Sequence, residues 1–353
     1  MQHAEGEIKV GISIGDTNGI GLEVIMKTFS DSRMMQVCTP VVYASAKTVS
    51  FQRKALNLPD FNYQTVRSIN DIIPRKINLL NVWDEEIKND FGVQNEIGGK
   101  YALLSLKNTV ADLLDHKVDV MVTAPINKKN MQQDGFNFPG HTEYLAVEGR
   151  TENYIMMLVS DAMRVAFVTG HIPIKNVSGQ LTKEKIVAKI KLINDTLKRD
   201  FGVRKPKIAV LGLNPHAGDS GLLGTEENDI ILPAVKDAQY LNILAAGPYS
   251  ADGFFGSGQY KKFDCILCMY HDQGLIPFKA ISFNSGVNYT AGLPFIRTSP
   301  DHGTGYDIAG KGIASEESFR EAIYMAIDIY NKRAEYDNIT ANPLVISKKH
   351  SDR

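Results

Sequence analysis

Apolar and polar positions in this chain switch repeatedly between a strand period and a helix period. Ile8 to Ile14 is a short apolar run that predicts a buried strand. It breaks at a glycine-rich turn, and helical spacing takes over from about Gly19. Val41 to Tyr43 and Ile77 to Asn81 predict two more short strands. Between Gly98 and His116, Ala102, Leu103, Leu106, Val110, Leu113 and Leu114 fall on one face of a helix. Val118 to Val122 follows as a strand, and later runs predict strands at Arg164 to Thr169, Lys207 to Leu213 and Asp264 to Met269. This alternation predicts an α/β protein with a mostly parallel sheet and helices on both faces. From Lys183 to Lys207 the lysines lie opposite Ile186, Ile190, Ile193 and Leu197, which reads as the solvated face of a helix. There is no internal repeat and no low-complexity linker. Hinge loops are expected near Ala124-Pro125 and between Phe278 and Gly286. They divide the chain into residues 1–125 with 285–353, and residues 126–284. The charged tail after Pro343 is expected to fray.

Composition narrows the function classes. The chain has 353 residues, 43% hydrophobic and 22% charged, with a formal net charge of -1. That balance gives no bulk electrostatic reason to bind nucleic acid or a membrane surface. No segment approaches the roughly 18 apolar residues of a membrane span. The start, MQHAEGEIKV, lacks the pattern of a secretory signal. Three cysteines fit a reducing, cytoplasmic setting. Cys265 and Cys268 form a C-x-x-C. Three positions apart on a strand, they point to opposite faces and read as buried thiols rather than half of a zinc site.

The candidate chemistry lies in the histidines. Of eight, five fall in turn-like contexts: His141, His171, His216, His271 and His302. His171, His216 and His271 each come shortly after an apolar strand. Open α/β sheets bind ligands at the carboxyl ends of their strands. Three imidazoles delivered there can converge on one divalent metal and leave positions open for substrate. Against this, a histidine in a loop is ordinarily a surface residue, and these spacings match no local zinc motif. Asp272 or Asp219 can orient an imidazole or cap the next helix.

Three stretches together, Gly170-His171-Ile172-Pro173, Asn214-Pro215-His216-Ala217-Gly218 and Met269 to Lys279, resemble the 4-hydroxythreonine-4-phosphate dehydrogenases of the pyridoxal phosphate pathway. Gly140-His141-Thr142-Glu143, Gly286 to Thr290 and Gly292 to Ser299 support the likeness, which runs from about Val10 to Gly312. His302 to Gly310 is similar to a segment of the wider isocitrate and isopropylmalate dehydrogenase superfamily. The resemblance implies two α/β/α domains of isopropylmalate dehydrogenase type, with the active site in the cleft between them. Residues 1–125 with 285–353 would form the cofactor side, and residues 126–284 the metal and dimerisation side. It implies that His171, His216 and His271 bind one divalent metal, with ligands shared across a homodimer. It implies that His141, Thr142, Lys279, Asn288 and Arg297 hold a small phosphorylated substrate. Two departures stand out. The first turn, Gly15 to Glu23, lacks both of the family's usual prolines, and Ser250-Ala251-Asp252 replaces the usual P-A-D.

The implied cofactor is NAD. The first turn lacks the G-x-G-x-x-G spacing of a Rossmann site. The resembled superfamily uses a different loop, which here places His302, Gly303, Thr304, Asp307 and Ile308 at the cofactor. A carboxylate at Asp307 would accept the ribose 2′-OH and repel a 2′-phosphate; capping a helix is its other reading. Histidine ligation suits zinc, cobalt, manganese or iron, and substrate oxygens also admit magnesium. The expected reaction oxidises a secondary alcohol to a β-keto acid that loses CO2. Asp252 is the first candidate for the base and Lys279 the second. The nearest rival substrates are 4-phosphothreonate and 4-phosphoerythronate. A phosphate acyltransferase of related fold and a binding protein without turnover are the more distant alternatives.

Overall fold

The computed structural model describes residues 7–132, 136–282 and 285–342. The charged tail after Pro343, His3 and His350 lie outside the described residues. Twelve strands form one sheet: β1 Lys9–Ser13, β2 Thr39–Ala44, β3 Gln64–Val66, β4 Asn78–Asn81, β5 Val120–Thr123, β6 Ile155–Val159, β7 Arg164–Phe167, β8 Lys207–Leu211, β9 Leu244–Tyr249, β10 Cys265–Cys268, β11 Val287–Ala291 and β12 Arg297–Pro300. Their order is β3-β4-β2-β1-β5-β12-β11-β6-β7-β10-β8-β9. The first six in that order are parallel to one another, as are the last four. Between the blocks β11 is antiparallel to both of its neighbours, and β6 is antiparallel to β7. The expected parallel sheet is therefore two parallel blocks that run in opposite directions. The carboxyl ends of β7, β10, β8 and β9 emerge on the edge where β12 begins.

The predicted strands and helices are present, with ends that move by a few residues. The strand expected at Ile8 to Ile14 is β1, where Val10 and Ile12 are fully buried. A central strand needs both faces apolar, so its sequence is a run rather than an alternation. The first turn then passes hard against β5. A Cβ on Gly15, whose φ is +69°, would lie 2.1 Å from the Pro125 carbonyl oxygen. Only glycine meets both conditions. The helix expected at Gly98 to His116 is Glu96–Leu114, capped by Asn95, whose side chain accepts the Gly98 N–H at 2.9 Å. The lysine-rich segment is the helix Lys183–Arg199, which buries Ile186, Ile190, Ile193 and Leu197. Each of these aliphatic side chains contributes about 1.5–3 kcal/mol by leaving water. Cys38, Cys265 and Cys268 are fully buried, and burial pushes the first two thiols up to about 12 and the third well above its ordinary value.

One buried ionic cluster ties the last helix to the sheet. Arg333, on the helix Glu317–Thr340, donates from Nε to Asp200 Oδ1 at 2.7 Å, and its Nη2 donates to the Tyr289 hydroxyl at 3.0 Å. Tyr289 in β11 donates to Asp200 Oδ2 at 2.5 Å. Asp200 follows the helix Lys183–Arg199, so three distant segments meet on one carboxylate. Removing one partner of a buried pair leaves an uncompensated charge. Arg333→Leu is expected to cost about 3–5 kcal/mol in urea unfolding, and adding Asp200→Asn should recover part of it. A loss no larger than that of an exposed arginine would show that the cluster does not hold the fold.

Candidate active site

The second parallel block delivers its loops side by side. His171 follows β7, His271 opens the helix His271–Ser282 after β10, His216 lies in the turn after β8, and Asp252 sits in the short helix after β9. Those strands are neighbours in that order. The His171 and His271 ring centroids are 5.6 Å apart, with planes at 46°. His271 stacks on Phe167 at 5.6 Å, and its Nδ1 lies 2.6 Å from Asp272 Oδ1. That contact sets the Asp272 carboxylate against one ring nitrogen and leaves Nε2 on the other side of the ring. Glu143 approaches from the other side, with Oε1 3.9 Å from His171 Nδ1. Burial pushes the Glu143 carboxyl up, but its contacts with His171 and with its own backbone N–H win and hold it below the usual value.

His216 is exposed, one strand beyond His271. Among the described residues no three His, Cys, Asp or Glu side chains close on a common point suited to a metal ion. A single chain thus pairs two of the three predicted imidazoles and holds the third on the next strand. Asp252 belongs with His216. The Ser250 hydroxyl donates to it at 2.5 Å and lowers its carboxyl, helped by the Gly253 N–H and the charge of His216.

The polar groups around Arg297 form the other half of the site. Arg297 opens β12 and is 2% exposed. Its Nε and Nη2 donate to Thr123 Oγ1 at 3.1 and 2.7 Å, and its Nη1 donates to Thr290 Oγ1 at 3.2 Å. Among the described residues, no carboxylate is in ion-pair range of it. Burial pulls its guanidinium down to about 9, and the Glu143 charge offsets part of that. Thr142 Oγ1 is 3.5 Å from Thr290 Oγ1. His141 starts the same helix, His141–Glu148. Burial, then the charges of Arg297 and Lys128, drive its pKa well below the ordinary value, so its ring is neutral. Four buried polar atoms here have no hydrogen-bond partner: His141 Nε2, Glu143 Oε2, Asn288 Oδ1 and His302 Nε2. Buried polar groups are ordinarily satisfied; these are four of the twelve unpartnered side-chain atoms among the described residues, and each is able to bond a polar ligand. A cavity of about 360 Å³ opens beside Thr142, Glu143 and His171.

Lys279 lies within the helix His271–Ser282, not in a loop as its Gly/Pro-rich surroundings suggested. Its Nζ donates to the Asp301 carbonyl at 3.3 Å and is 3.8 Å from Asp301 Oδ2. Burial pushes the Asp301 carboxyl up to about 6, against the pull of Lys279 and His271. The segment from His302 to Ile308, expected from the sequence to meet the cofactor, rests on the first turn. Thr304 O accepts the Ile20 N–H at 2.9 Å, and the Tyr306 hydroxyl donates to Asp16 Oδ2 at 2.7 Å. His302 Nδ1 lies 3.0 Å from the Gly303 carbonyl, and burial lowers its pKa. Gly303 is exposed, and Ile308 packs on the core. Asp307 is exposed and caps no helix, because the next one begins at Glu317 behind Glu316. That sets aside its structural reading. Sequence reasoning missed Glu143, Asp301, Thr123, Thr290 and Tyr306 as parts of the site. Glu143 and Asp301 sit beside quoted histidines, and that adjacency was the available signal.

The model of a family described as pyridoxal phosphate biosynthetic protein PdxA matches residues 36–326. A 4-hydroxythreonine-4-phosphate dehydrogenase of Bacteroides thetaiotaomicron is 49% identical over 341 residues, 96% of this chain and 93% of that protein. A putative D-threonate 4-phosphate dehydrogenase of Oceanobacillus iheyensis is 36% identical, over 91% of this chain and 97% of its own length. The crystal structure of 4-hydroxythreonine-4-phosphate dehydrogenase from Klebsiella pneumoniae superposes with a TM-score of 0.76 at 33% identity, covering 93% of this chain and all of that one. With the family model spanning most of the sequence and a relative near half identical along almost its whole length, the chain belongs to the PdxA family and is one of its dehydrogenases.

Proposed function

We propose that the enzyme oxidises 4-phosphohydroxy-L-threonine to a β-keto acid that decarboxylates to 3-amino-2-oxopropyl phosphate, using NAD and one divalent metal, in pyridoxine 5′-phosphate synthesis. The observation that carries this reading is Arg297. A fully buried guanidinium that meets only threonine hydroxyls fits an anionic substrate group, because burying that charge is costly until an anion pairs with it. The neutral ring of His141 and the carbonyl of Asn288 add hydrogen bonds that fix the substrate's orientation, and Thr142 supplies a hydroxyl beside them.

His171 and His271, with His216, would hold the cation. Their donor set fits zinc, cobalt, manganese or magnesium with substrate oxygens completing the shell, and Asp272 on the Nδ1 of His271 is the support such a ligand needs. A bound divalent cation acidifies a coordinated hydroxyl and stabilises negative charge on oxygen. The segment from His302 to Ile308 would carry the NAD, with the exposed Asp307 facing a ribose 2′-OH. We assign proton acceptance to the Lys279–Asp301 pair rather than to Asp252. A carboxyl pushed up to about 6 is a better base near neutrality than one held below the carboxylate range. The cleft would lie between residues 1–125 with 285–353 and residues 126–284, in a cytoplasmic homodimer. The likeness to a threonate phosphate dehydrogenase favours one second reading, in which the substrate has a hydroxyl where the amino acid has its amine.

NADH absorbance with either substrate, NAD and a divalent cation decides between the two. Turnover of the amino acid is expected, and turnover of the hydroxy acid alone would move the enzyme to the second reading. His271→Ala is expected to abolish turnover. Arg297→Met should lower kcat/KM by at least about 100-fold, roughly 3 kcal/mol of lost anion pairing, and Arg297→Lys should not restore it because the fork is gone. Wild-type rates in Arg297→Met would remove the anion assignment. Asp301 predicts a pH effect on stability. Its pKa is about 6 folded and near the ordinary 3.8 of an aspartate in an unstructured chain, so the folded state holds the extra proton between those values. Stability should therefore fall as pH rises from about 4 to about 6, by up to about 3 kcal/mol. Asp301→Asn should flatten that slope in urea titrations, and an unchanged slope would locate it elsewhere.

A further inference from the structure

The turn that carries His216 has an unusual backbone. His216, Ala217, Gly218, Asp219 and Ser220 all have positive φ, between 43° and 80°. Four of the five have a Cβ, and each such residue in the left-handed region costs of order 1 kcal/mol. A run of them persists only if something outside the turn over-determines it. The residue placed to do so is Glu227, which is 2% exposed. Its Oε1 accepts the Leu213 and Asn214 backbone N–H groups, both at 2.7 Å, and its Oε2 accepts Asn214 Nδ2 at 3.0 Å. Gly218 passes so close that a Cβ there would lie 2.6 Å from Glu227 Oε2. Glu227 begins a π-helical turn, Glu227–Ile231, and such turns displace a residue from ordinary α-helical positions. The same backbone is tied to the other histidine. Gln273 Nε2 donates to the Gly212 carbonyl at 2.6 Å, and Gln273 Oε1 accepts the Met269 N–H at 2.7 Å. The Gly212 end of the His216 turn is thereby pinned to the strand end that presents His271.

We propose that Glu227 is the positioning residue for His216: its buried carboxylate clamps the left-handed turn and so sets how tightly the enzyme holds its divalent cation. The proposal rests on the reading of His216 as a ligand. It goes beyond that reading by placing part of the affinity in a side chain that touches neither cation nor substrate. All three contacts of Glu227 are acceptor contacts, so a carboxylate satisfies them and a carboxamide does not. Glu227→Gln keeps the shape but turns an NH2 group toward other donors.

The test is a Co2+ titration of the full-length protein, followed by the visible absorption of the bound ion, with thermal unfolding measured in parallel. Glu227→Gln is expected to weaken Co2+ binding by about 10–100-fold, the usual effect of losing a group that orients a ligand. Tyr289→Phe, which loosens the fold far from the turn, should lower the melting temperature and leave Co2+ affinity unchanged. Glu227→Asp keeps the charge on a shorter side chain and should bind with intermediate affinity; it replaces Glu227→Gln in the comparison if the glutamine variant does not fold. Wild-type Co2+ affinity in Glu227→Gln, or in Glu227→Asp if that variant has to stand in, overturns the proposal. So does an equal loss in Tyr289→Phe, because the effect would then be general destabilisation. Wild-type protein that binds no Co2+, or His216→Ala that binds it fully, overturns the ligand reading and takes the proposal with it.

Discussion

The reversal of strand direction across β11 and β6 is the constraint on which the site depends. In a sheet parallel throughout, the carboxyl ends of β7, β10 and β8 would lie on the edge away from the start of β12. Two antiparallel strands turn the second block over. The loops that carry His171, His271 and His216 then emerge where Arg297 begins β12 and Thr290 nears the end of β11. That reversal puts the loops after β7, β10 and β8 on the same edge of the sheet as the start of β12. The buried Asp200–Arg333–Tyr289 cluster holds β11 itself, so the strand that makes the reversal is also fastened by charge.

The electrostatics of the site follow from burial with incomplete pairing. Arg297 is charged in a place where hydroxyls alone solvate it. Burial, helped by that charge, keeps His141 neutral, and burial lifts Asp301 toward neutrality against the pull of Lys279. Such groups cost stability and are held in place by the packing around them.

Much of the fold was legible because its signals are local. Apolar runs gave β1, β5, β7, β8 and β10 nearly to their ends, and the period of the helix Glu96–Leu114 survived within two residues at either end. His171, His216 and His271 were legible for the same reason, since each follows a run that ends abruptly. What escaped depends on pairing between distant segments. Nothing near Thr123 says that it meets Arg297, because that contact exists only once β12 lies beside β5. The direction of β11 was equally hidden, as an apolar strand reads the same either way along the sheet. Asp252 sits in the short helix after β9, the outermost strand of its block, next to His216, a neighbour that its own motif does not name.

The thiols of Cys38 and Cys265 have a consequence for how the molecule ages. Each is sealed in the core, Cys265 in β10 and Cys38 just before β2, and burial pushes it up to about 12. At neutral pH only about one in 10⁵ of either is a thiolate, the form that alkylating agents and oxidants attack. While the protein is folded these thiols are almost blind to such reagents. Modification of a cysteine therefore records an opening of the strands around it, and the rate at which alkylation accumulates measures how often the sheet comes apart.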